Sequence, residues 1–253
     1  MTERLDRERD FHNTAFTEGV RKDLSKYYQV GQSSNQYYND CLVADLAGRD
    51  VLEYGCGPGS SSFRLVEAGA AKVVGIDISD GAIDIATGRA AELGHDTVAS
   101  FLVMDAEHLD FADASFDQIN GTGILHHLDL EQSFAEVARV LRPGGQAIFS
   151  EPLSLNPAIR LYRKLTPKLR TEDEHPLERS DFEMLETYFG DVEVTYFNLV
   201  TLATVPLRKV PGYERLRTLA ERFDQFLFTK IPGMKWMAWT TVMVLRQPRP
   251  RAA

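Results

Sequence analysis

Short apolar runs alternate with amphipathic segments from residue 50 onward, which is the pattern of a parallel sheet with covering helices. The apolar runs predict strands near residues 50–55, 72–77, 98–104, 116–121 and 145–151. The segments between them repeat apolar residues at helical spacing and predict helices near 60–69, 79–93 and 131–141. Later in the chain, two more strands and one helix are expected near 192–200, 237–246 and 211–228.

Two regions interrupt this alternation. Residues 1–47 are charged and then aromatic, and their periodicity predicts short helices, one of them at 35–47. Residues 152–190 hold four prolines and an acidic loop, and they are longer than a crossover needs. Ligands bind such sheets at the carboxyl ends of the strands, so we expect this insertion to cover a substrate.

We therefore expect a single α/β domain built in four parts. These parts are a helical N-terminal lid at 1–47, a cofactor-binding core at 48–151, a substrate-cover insertion at 152–190, and closing strands and a helix at 191–253.

Composition and charge indicate which kinds of partner and location suit the chain. The net charge is −9, with 37 acids against 28 bases, which argues against a nucleic-acid partner. Two cysteines give no disulfide framework, which fits a cytoplasmic location. The charged N-terminus has no apolar core and predicts no signal peptide, and no run approaches the roughly 18 apolar residues of a membrane span.

The most informative stretch is a glycine-rich turn that follows the first predicted strand. Glycines stand at alternate positions 55, 57 and 59, and Asp77 ends the next apolar run 22 residues beyond Gly55. Glycine allows sharp turns and a close approach of ligand to backbone, while an acid at that distance accepts hydrogen bonds from ribose hydroxyls. These parts suit any nucleoside-bearing cofactor.

Two details argue against a dinucleotide. The dinucleotide fingerprint has glycine at its sixth position, where this chain has Ser60. Glu53, two residues before the first glycine, would repel a pyrophosphate and favour a cationic group. A nicotinamide-dependent oxidoreductase is therefore only a distant alternative.

Further motifs follow in order. They are Val51–Gly59, Val73–Ser79, Met104–Ala106, Phe116–Asn120, Ile124–Leu128 and Val140–Gly145. Together they resemble the motifs of class I S-adenosylmethionine-dependent methyltransferases, over about residues 40–151 and more weakly over the last two strands. The resemblance implies a Rossmann-like, doubly wound sheet of seven strands, in which the last strand is antiparallel and lies beside the sixth. The resemblance indicates the fold and the cofactor with high specificity, and it says almost nothing about the methyl acceptor.

The resemblance also implies roles for the residues near the glycine turn, with S-adenosyl-L-methionine as cofactor. Glu53 would hold the methionine end of the cofactor through the loop. The three glycines, Gly55, Gly57 and Gly59, would let the cofactor pass close to the backbone. Asp77 would bind the ribose diol.

Similar roles follow for residues along the next strands. Ile78 would lie against the adenine, Asp105 would accept a hydrogen bond from its amino group, and the backbone of Ala106 would contact the ring. Asn120 would line the pocket at the end of the fourth strand. Members of the family often carry an aromatic N-terminal lid, so Tyr28 is an expected cover, with core packing the equal alternative.

Methyl transfer from a sulfonium needs alignment, and an oxygen or nitrogen acceptor must also lose a proton. His126 and His127 follow the fourth strand, where the methyl group is expected, and histidine titrates near neutral pH. Glu151 ends the fifth strand on the same rim and would orient a histidine or bind the acceptor. His175, in the insertion, is a third candidate base. The alternative is that the histidine pair only caps its turn and that His175 belongs to a solvated loop.

A metal site is the less favoured interpretation of this region. Six residues could contribute ligands: His126, His127, Glu151, Asp173, Glu174 and His175. Their spacing matches no compact ligand pattern, so we expect no metal.

The expected function is methylation of a small molecule, most simply on a hydroxyl oxygen. Methylation of nitrogen or carbon is the close alternative, and a binding module without catalysis is a further one. The apolar segment Phe223–Trp239 predicts core packing and a possible homodimer contact, in preference to a membrane anchor.

Overall fold

A computed structural model of the chain describes residues 3–18, 31–166 and 174–249. The helices are α1 (Glu3–Glu18), α2 (Gln32–Val43), α3 (Ser60–Glu67), α4 (Asp80–Leu93), α5 (Leu130–Val140), α6 (Pro157–Leu165), α7 (Arg179–Tyr188) and α8 (Tyr213–Lys230). The strands are β1 (Asp50–Tyr54), β2 (Lys72–Asp77), β3 (Ala99–Val103), β4 (Phe116–Thr122), β5 (Leu141–Pro152), β6 (Phe189–Phe197) and β7 (Thr240–Pro248). Short 3₁₀ segments cover Leu125–His127, Val200–Leu207 and Met234–Met237.

The strands form one seven-stranded sheet in the order β3-β2-β1-β4-β5-β7-β6. Neighbours from β3 to β5 pair in parallel, while β7 pairs antiparallel with both β5 and β6. The seven-stranded, Rossmann-like sheet and the antiparallel last strand beside the sixth are therefore confirmed. All strands except β7 end on the same rim, and this rim carries the candidate site.

Side chains pack on both faces of the sheet, because successive residues of a strand point to opposite sides. Leu52 and Phe149 belong to one buried cluster, and their chain neighbours Val51 and Ile148 belong to the other. Burial on both faces explains why the parallel strands read as continuous apolar runs and not as alternating ones.

Local capping sets where two of the core helices begin. The Ser79 hydroxyl accepts a hydrogen bond from the backbone N–H of Ala82, and Asp129 accepts one from Gln132. Both caps satisfy N–H groups that the first turn of a helix leaves unpaired. They also fix the two turns that follow β2 and β4, which lie on the ligand rim.

The insertion after β5 is anchored to the sheet at its base. Leu177 donates its backbone N–H to the carbonyl of Pro152, and Ser154 donates to the carbonyl of Leu177. Leu177 is also buried in the main core. The segment from 174 onward therefore returns to the strand end that it left, beside the carboxyl rim.

The fifth strand begins earlier than expected. The sequence predicts a strand at 145–151, but β5 already begins at Leu141, which pairs with Phe116. The register shifts between Phe116 and Gln118, so the glycines lie in an irregular start of the strand.

The expectation for the segment Phe223–Trp239 holds only in part. Leu227 is buried and Trp236 packs against the main core, but Phe223, Phe226 and Ile231 are exposed. The buried face of α8 is fixed by Asp224, whose carboxylate accepts hydrogen bonds from three backbone N–H groups at residues 199–201. In the part of the chain described, no helix is both long and apolar enough to cross a membrane.

Candidate active site

The glycine turn lies between β1 and α3 and is shaped by the residues behind it. Gly55 has φ +63°, and a Cβ there would lie 3.0 Å from the side chain of Ile124. Gly59 has φ +78°, and a Cβ there would meet Phe63 and Phe101 at 3.0 and 3.1 Å. A side chain at either position would be strained in conformation and in space. The turn thus keeps its backbone bare on the ligand rim.

Asp77 ends β2 beside this turn. Its carboxylate oxygens accept hydrogen bonds from the backbone N–H groups of Gly57 and Ser79, both at 2.9 Å. Each carboxylate oxygen can accept more than one hydrogen bond, so the group keeps capacity for ligand hydroxyls. The two backbone contacts hold the carboxylate at the mouth of the turn.

A cavity of about 90 Å³ lies between this rim and helix α1. Its lining combines Gly55, Asp77, Ile78, Met104, Asp105, Ala106, Thr122, Gly123, Ile124, His127 and Leu128 from the rim with Leu5 and Glu8 from α1, together with Ile76. The rim residues expected to hold ribose and adenine therefore share one cavity. Pockets for ligands of drug size commonly enclose about 300–1,000 Å³, so α1 lies closed over this site.

Asp105 is fixed in the same way as Asp77. It accepts a hydrogen bond from the backbone N–H of Glu107 at 2.9 Å, and its second oxygen lies 3.3 Å from Nδ1 of His108. The side chain keeps part of its surface exposed toward the cavity that it lines.

Glu53 lies deeper, next to Asn120 on the paired strand β4. The Ser62 hydroxyl donates to the buried carboxylate of Glu53. Burial raises the pKa of Glu53 to about 7, although the hydrogen bonds from Ser62 and Ser61 favour its charged form. A buried acid in this state is stabilised by any cation placed beside it.

Two unsatisfied polar groups lie close to Glu53. The Tyr38 hydroxyl lies close to the Asn120 side chain, and neither group has a well-formed hydrogen bond to a described residue. Buried polar groups are normally paired, because each one left unpaired costs about 1–3 kcal/mol. The pair therefore marks a place for a polar ligand group beyond the rim cavity.

His126 and Glu151 form a buried pair at the ends of β4 and β5. Nδ1 of His126 lies 2.7 Å from Oε2 of Glu151. The other oxygen of Glu151 accepts the backbone N–H groups of Ile124 and Leu125 at 2.9 and 2.8 Å. An N–H on Nδ1 would donate to this carboxylate. In that tautomer the lone pair of His126 lies on Nε2, an atom that no described residue hydrogen-bonds.

Glu151 is enclosed at this position. Its side chain is 0% exposed and both of its oxygens are engaged. These contacts favour the expected role of orienting His126 over that of binding the acceptor.

His127 lies next to His126 with ring centroids 4.2 Å apart, and it lines the rim cavity. Its Nδ1 lies 3.1 Å from a carboxylate oxygen of Glu8 on α1, and its Nε2 lies 3.9 Å from Glu174 of the insertion. Burial lowers the pKa of His127, although Glu8 and Glu174 favour the protonated ring. His127 thus connects the N-terminal helix, the rim and the insertion.

Three of the six candidate metal ligands come together. One ligand atom from each of His126, His127 and Glu174 lies within 4.8 Å of the others. Sequence spacing did not reveal this group, because Glu174 reaches it through the folded insertion. Arg163 lies 3.1 Å from Glu174 and already neutralises that carboxylate.

The remaining candidates have different positions. His175 is exposed, and only its backbone N–H reaches the site, by donating to the carbonyl of His126 at 2.9 Å. Tyr28 and Asp173 lie outside the described residues. Cys56 is buried, and burial raises the pKa of its thiol, which fits a small space-filling residue.

Comparison with known proteins decides the family. Residues 51–145 match the model of a methyltransferase domain, and this range contains the glycine turn, Asp77, Asp105 and the histidine pair. Over this range the chain carries a methyltransferase domain of the S-adenosylmethionine-dependent class.

Two curated methyltransferases match part of this chain. The chain is 38% identical over 106 residues to the methyltransferase GfsG of Streptomyces halstedii. This alignment covers 42% of the chain and 38% of the relative. It is 39% identical over 101 residues to a 27-O-demethylrifamycin SV methyltransferase of Amycolatopsis mediterranei, covering 40% of this chain and 37% of the relative. The matched stretch thus spans less than half the length of these relatives.

Solved structures match the fold of this chain over a longer stretch. A phosphoethanolamine N-methyltransferase 2 of Haemonchus contortus, in complex with S-adenosyl-L-methionine, aligns with a TM-score of 0.62 at 16% identity. The alignment covers 95% of this chain and 60% of the other. At that identity the match speaks for the fold alone.

The residues present fit the family's cofactor. A bare glycine turn, fixed carboxylates at Asp77 and Asp105, and an acid with unsatisfied polar neighbours follow one another along the rim. The bare turn suits a close approach of the cofactor to the backbone, and the two fixed carboxylates suit a nucleoside. The acid suits the charged amino-acid end of the cofactor.

Sequence patterns missed the contribution of α1. Glu8 and Leu5 line the cavity, and Arg4 donates to the carbonyl of His127 and to both oxygens of the buried Glu107. The apolar and charged residues of α1 predicted a helix, but nothing in its sequence told which partner it would meet. Arg4 is more than a hundred residues away in sequence from Glu107 and His127, so no local sequence pattern indicates these contacts.

Proposed function

We propose that this chain transfers a methyl group from S-adenosylmethionine to a hydroxyl oxygen of a small molecule, with His126 as the base. The observation that supports this most is the His126–Glu151 pair at the end of β4, beside the rim cavity. Glu53, Gly55, Gly57 and Gly59, Asp77, Ile78, Asp105, Ala106 and Asn120 would hold the cofactor. When bound, the cofactor supplies a methyl group that its sulfonium makes electrophilic.

The chain's own part in the reaction is to align the acceptor and to take its proton. Glu151 keeps the proton of His126 on Nδ1, so Nε2 is ready to accept the hydroxyl proton as the oxygen attacks. The negative carboxylate then stabilises the imidazolium that forms. This is the same division of roles as in other carboxylate–imidazole pairs.

The surroundings of the pair favour the transfer. His127 and the insertion close over it, so the acceptor would react away from bulk water. The lowered pKa of His127 keeps that ring neutral near pH 7, which suits a wall of the acceptor pocket. The name of the rifamycin relative specifies an oxygen acceptor, which agrees with a base at this position.

Methyl transfer by His126→Ala tests this proposal. Transfer to a panel of phenols, sugars, carboxylates and amines would be followed with methyl-labelled cofactor. We expect kcat for a hydroxyl acceptor to fall by about 10²–10⁴, the usual contribution of a general base. The affinity for S-adenosylhomocysteine should stay unchanged, since His126 is not among the residues that line the cofactor cavity.

His95→Ala is the matched control, because His95 packs beside Phe63, away from the histidine pair. Unchanged turnover by His126→Ala would show that the base assignment is wrong. Transfer to amines alone, at a rate independent of His126, would instead favour the nitrogen acceptor.

A further inference from the structure

Helix α8 carries two apolar faces, and only one of them packs on the part of the protein that the structure describes. Tyr213 and Leu227 are buried on the inner face, with Asp224 between them. The second stripe consists of Leu216, Leu219, Phe223 and Phe226, which are 40 to 62% exposed. The spacing of i, i+3, i+7 and i+10 places these four side chains in one row along the helix.

Basic residues flank this stripe. Arg215 and Arg222 precede Leu216 and Phe223 directly, so they lie along one edge of the row, and Lys230 continues the row at the end of the helix. Among the described residues, neither Arg215 nor Arg222 has an ion-pair partner. The acids Glu214 and Glu221 of the same helix are instead bound by Arg217 on the inner side.

This local balance is opposite to that of the whole chain. The protein carries a net charge of −9, while the exposed face of α8 combines four large apolar side chains with a row of cations. Phe and Leu beside Arg and Lys are the composition of helices that lie in the interface of anionic membranes. Each base near such a surface contributes about 1 kcal/mol of attraction.

A second copy of the chain fits this face less well. If α8 packed on its symmetry mate in antiparallel fashion, Arg215 and Arg222 would face the same arginines of the copy. In a parallel pair they would face Ala220 and Leu227, which offer no opposite charge. Neither arrangement neutralises the basic row, whereas an anionic lipid surface does so directly.

We propose that the exposed face of α8, formed by Leu216, Leu219, Phe223 and Phe226 with Arg215, Arg222 and Lys230, docks on an anionic phospholipid bilayer. Helix α8 is itself held at the end of β6, because Gln225 donates to the carbonyl of Tyr196 from the side of the helix opposite the exposed face. Docking is peripheral, through side chains of one helix, and is independent of which acceptor is methylated.

Flotation of the purified chain with vesicles tests the proposal. We expect binding to vesicles of equal parts phosphatidylcholine and phosphatidylglycerol, and little binding to phosphatidylcholine alone. Arg215→Gln and Arg222→Gln should each weaken binding roughly fivefold, and added salt should weaken it further. The double change Phe223→Ser and Phe226→Ser should reduce binding at least tenfold.

Ile85→Ser is the control, since Ile85 is an exposed apolar residue of a different helix, α4. Thermal unfolding of each variant checks that the fold is kept, as expected for exposed positions. The proposal is overturned if the chain does not float with anionic vesicles, or if the phenylalanine changes leave flotation unaltered. It is also overturned if the wild type is a dimer that these changes convert to monomers without any vesicle binding, because α8 is then a subunit contact.

Discussion

At the scale of single residues, the site relies on carboxylates whose surroundings give them different tasks. Glu151 is satisfied by two backbone N–H groups and a histidine, so it acts as a fixed orienting group. Glu53 is also buried, and burial raises its pKa to about 7. The same type of side chain therefore orients a histidine in one place and titrates near neutral pH in the other.

The raised pKa of Glu53 predicts a pH dependence of cofactor binding. Below pH 7 Glu53 is protonated in the free protein, and it must ionise to hold the ammonium of S-adenosylhomocysteine. Affinity should therefore rise about tenfold from pH 6 to pH 8, with uptake of the ligand coupled to release of a proton. Calorimetry in buffers of different ionisation enthalpy measures both quantities.

The variant Glu53→Gln should bind more weakly at pH 8 and lose this pH dependence, while Glu67→Gln, an exposed change, should keep it. The stability of the free protein should depend on pH through the same carboxyl group. A carboxyl whose folded pKa is raised from 4.5 to about 7 makes the folded state less stable as pH rises through that interval. Glu53→Gln should flatten this decline, and a steeper decline would contradict the assignment.

At the scale of elements, Arg4 is one of the residues that hold α1 on the rim. The guanidinium donates to Glu107 at 2.5 and 2.6 Å and to the carbonyl of His127 at 2.8 Å. Glu107 in turn accepts the backbone N–H of Asp129 at the start of α5. One ion pair therefore connects the N-terminal helix to the turn that carries the histidines.

Opening of α1 should limit the release of the cofactor. Arg4→Ala removes the cation beside the buried Glu107. A buried carboxylate without its partner strongly destabilises the arrangement around it, which here is the contact between α1 and the rim. We expect S-adenosylhomocysteine to dissociate at least about tenfold faster, because affinity changes are expressed mostly in the dissociation rate. Surface plasmon resonance measures this rate directly.

Glu3→Ala is the control on the same helix, since Glu3 is exposed. Faster hydrogen exchange over α1 in the Arg4 variant would accompany the change. An unaltered dissociation rate together with unaltered exchange would show that α1 does not gate the site.

At the scale of the whole molecule, the sequence predicts those features that have a local pattern. Strands near Val51 and Val73 and the turn at Gly55 have local signals, namely apolar runs and residues with special backbone freedom. The contacts of Glu8 and Glu174 with His127 bring three distant segments together, and no spacing in the chain encodes them. The exposure of Phe223 was missed for a related reason, because an apolar residue on a helix can face outward without any change in the pattern.

The cofactor site draws on β1 to β4 and on α1, so its occupation should stabilise the fold as a unit. A ligand that binds only the folded state at one hundred times its Kd adds about 2.7 kcal/mol to the free energy of unfolding. For a chain of this size that corresponds to a rise in Tm of roughly 5–10 °C. Scanning fluorimetry with S-adenosylhomocysteine should show this rise in a single transition, and Asp77→Asn should reduce it.

NADH at the same concentration should cause no shift in Tm, because Ser60 replaces the glycine that a dinucleotide requires and Glu53 repels its pyrophosphate. A shift with NADH and none with S-adenosylhomocysteine would assign the glycine turn to a dinucleotide instead.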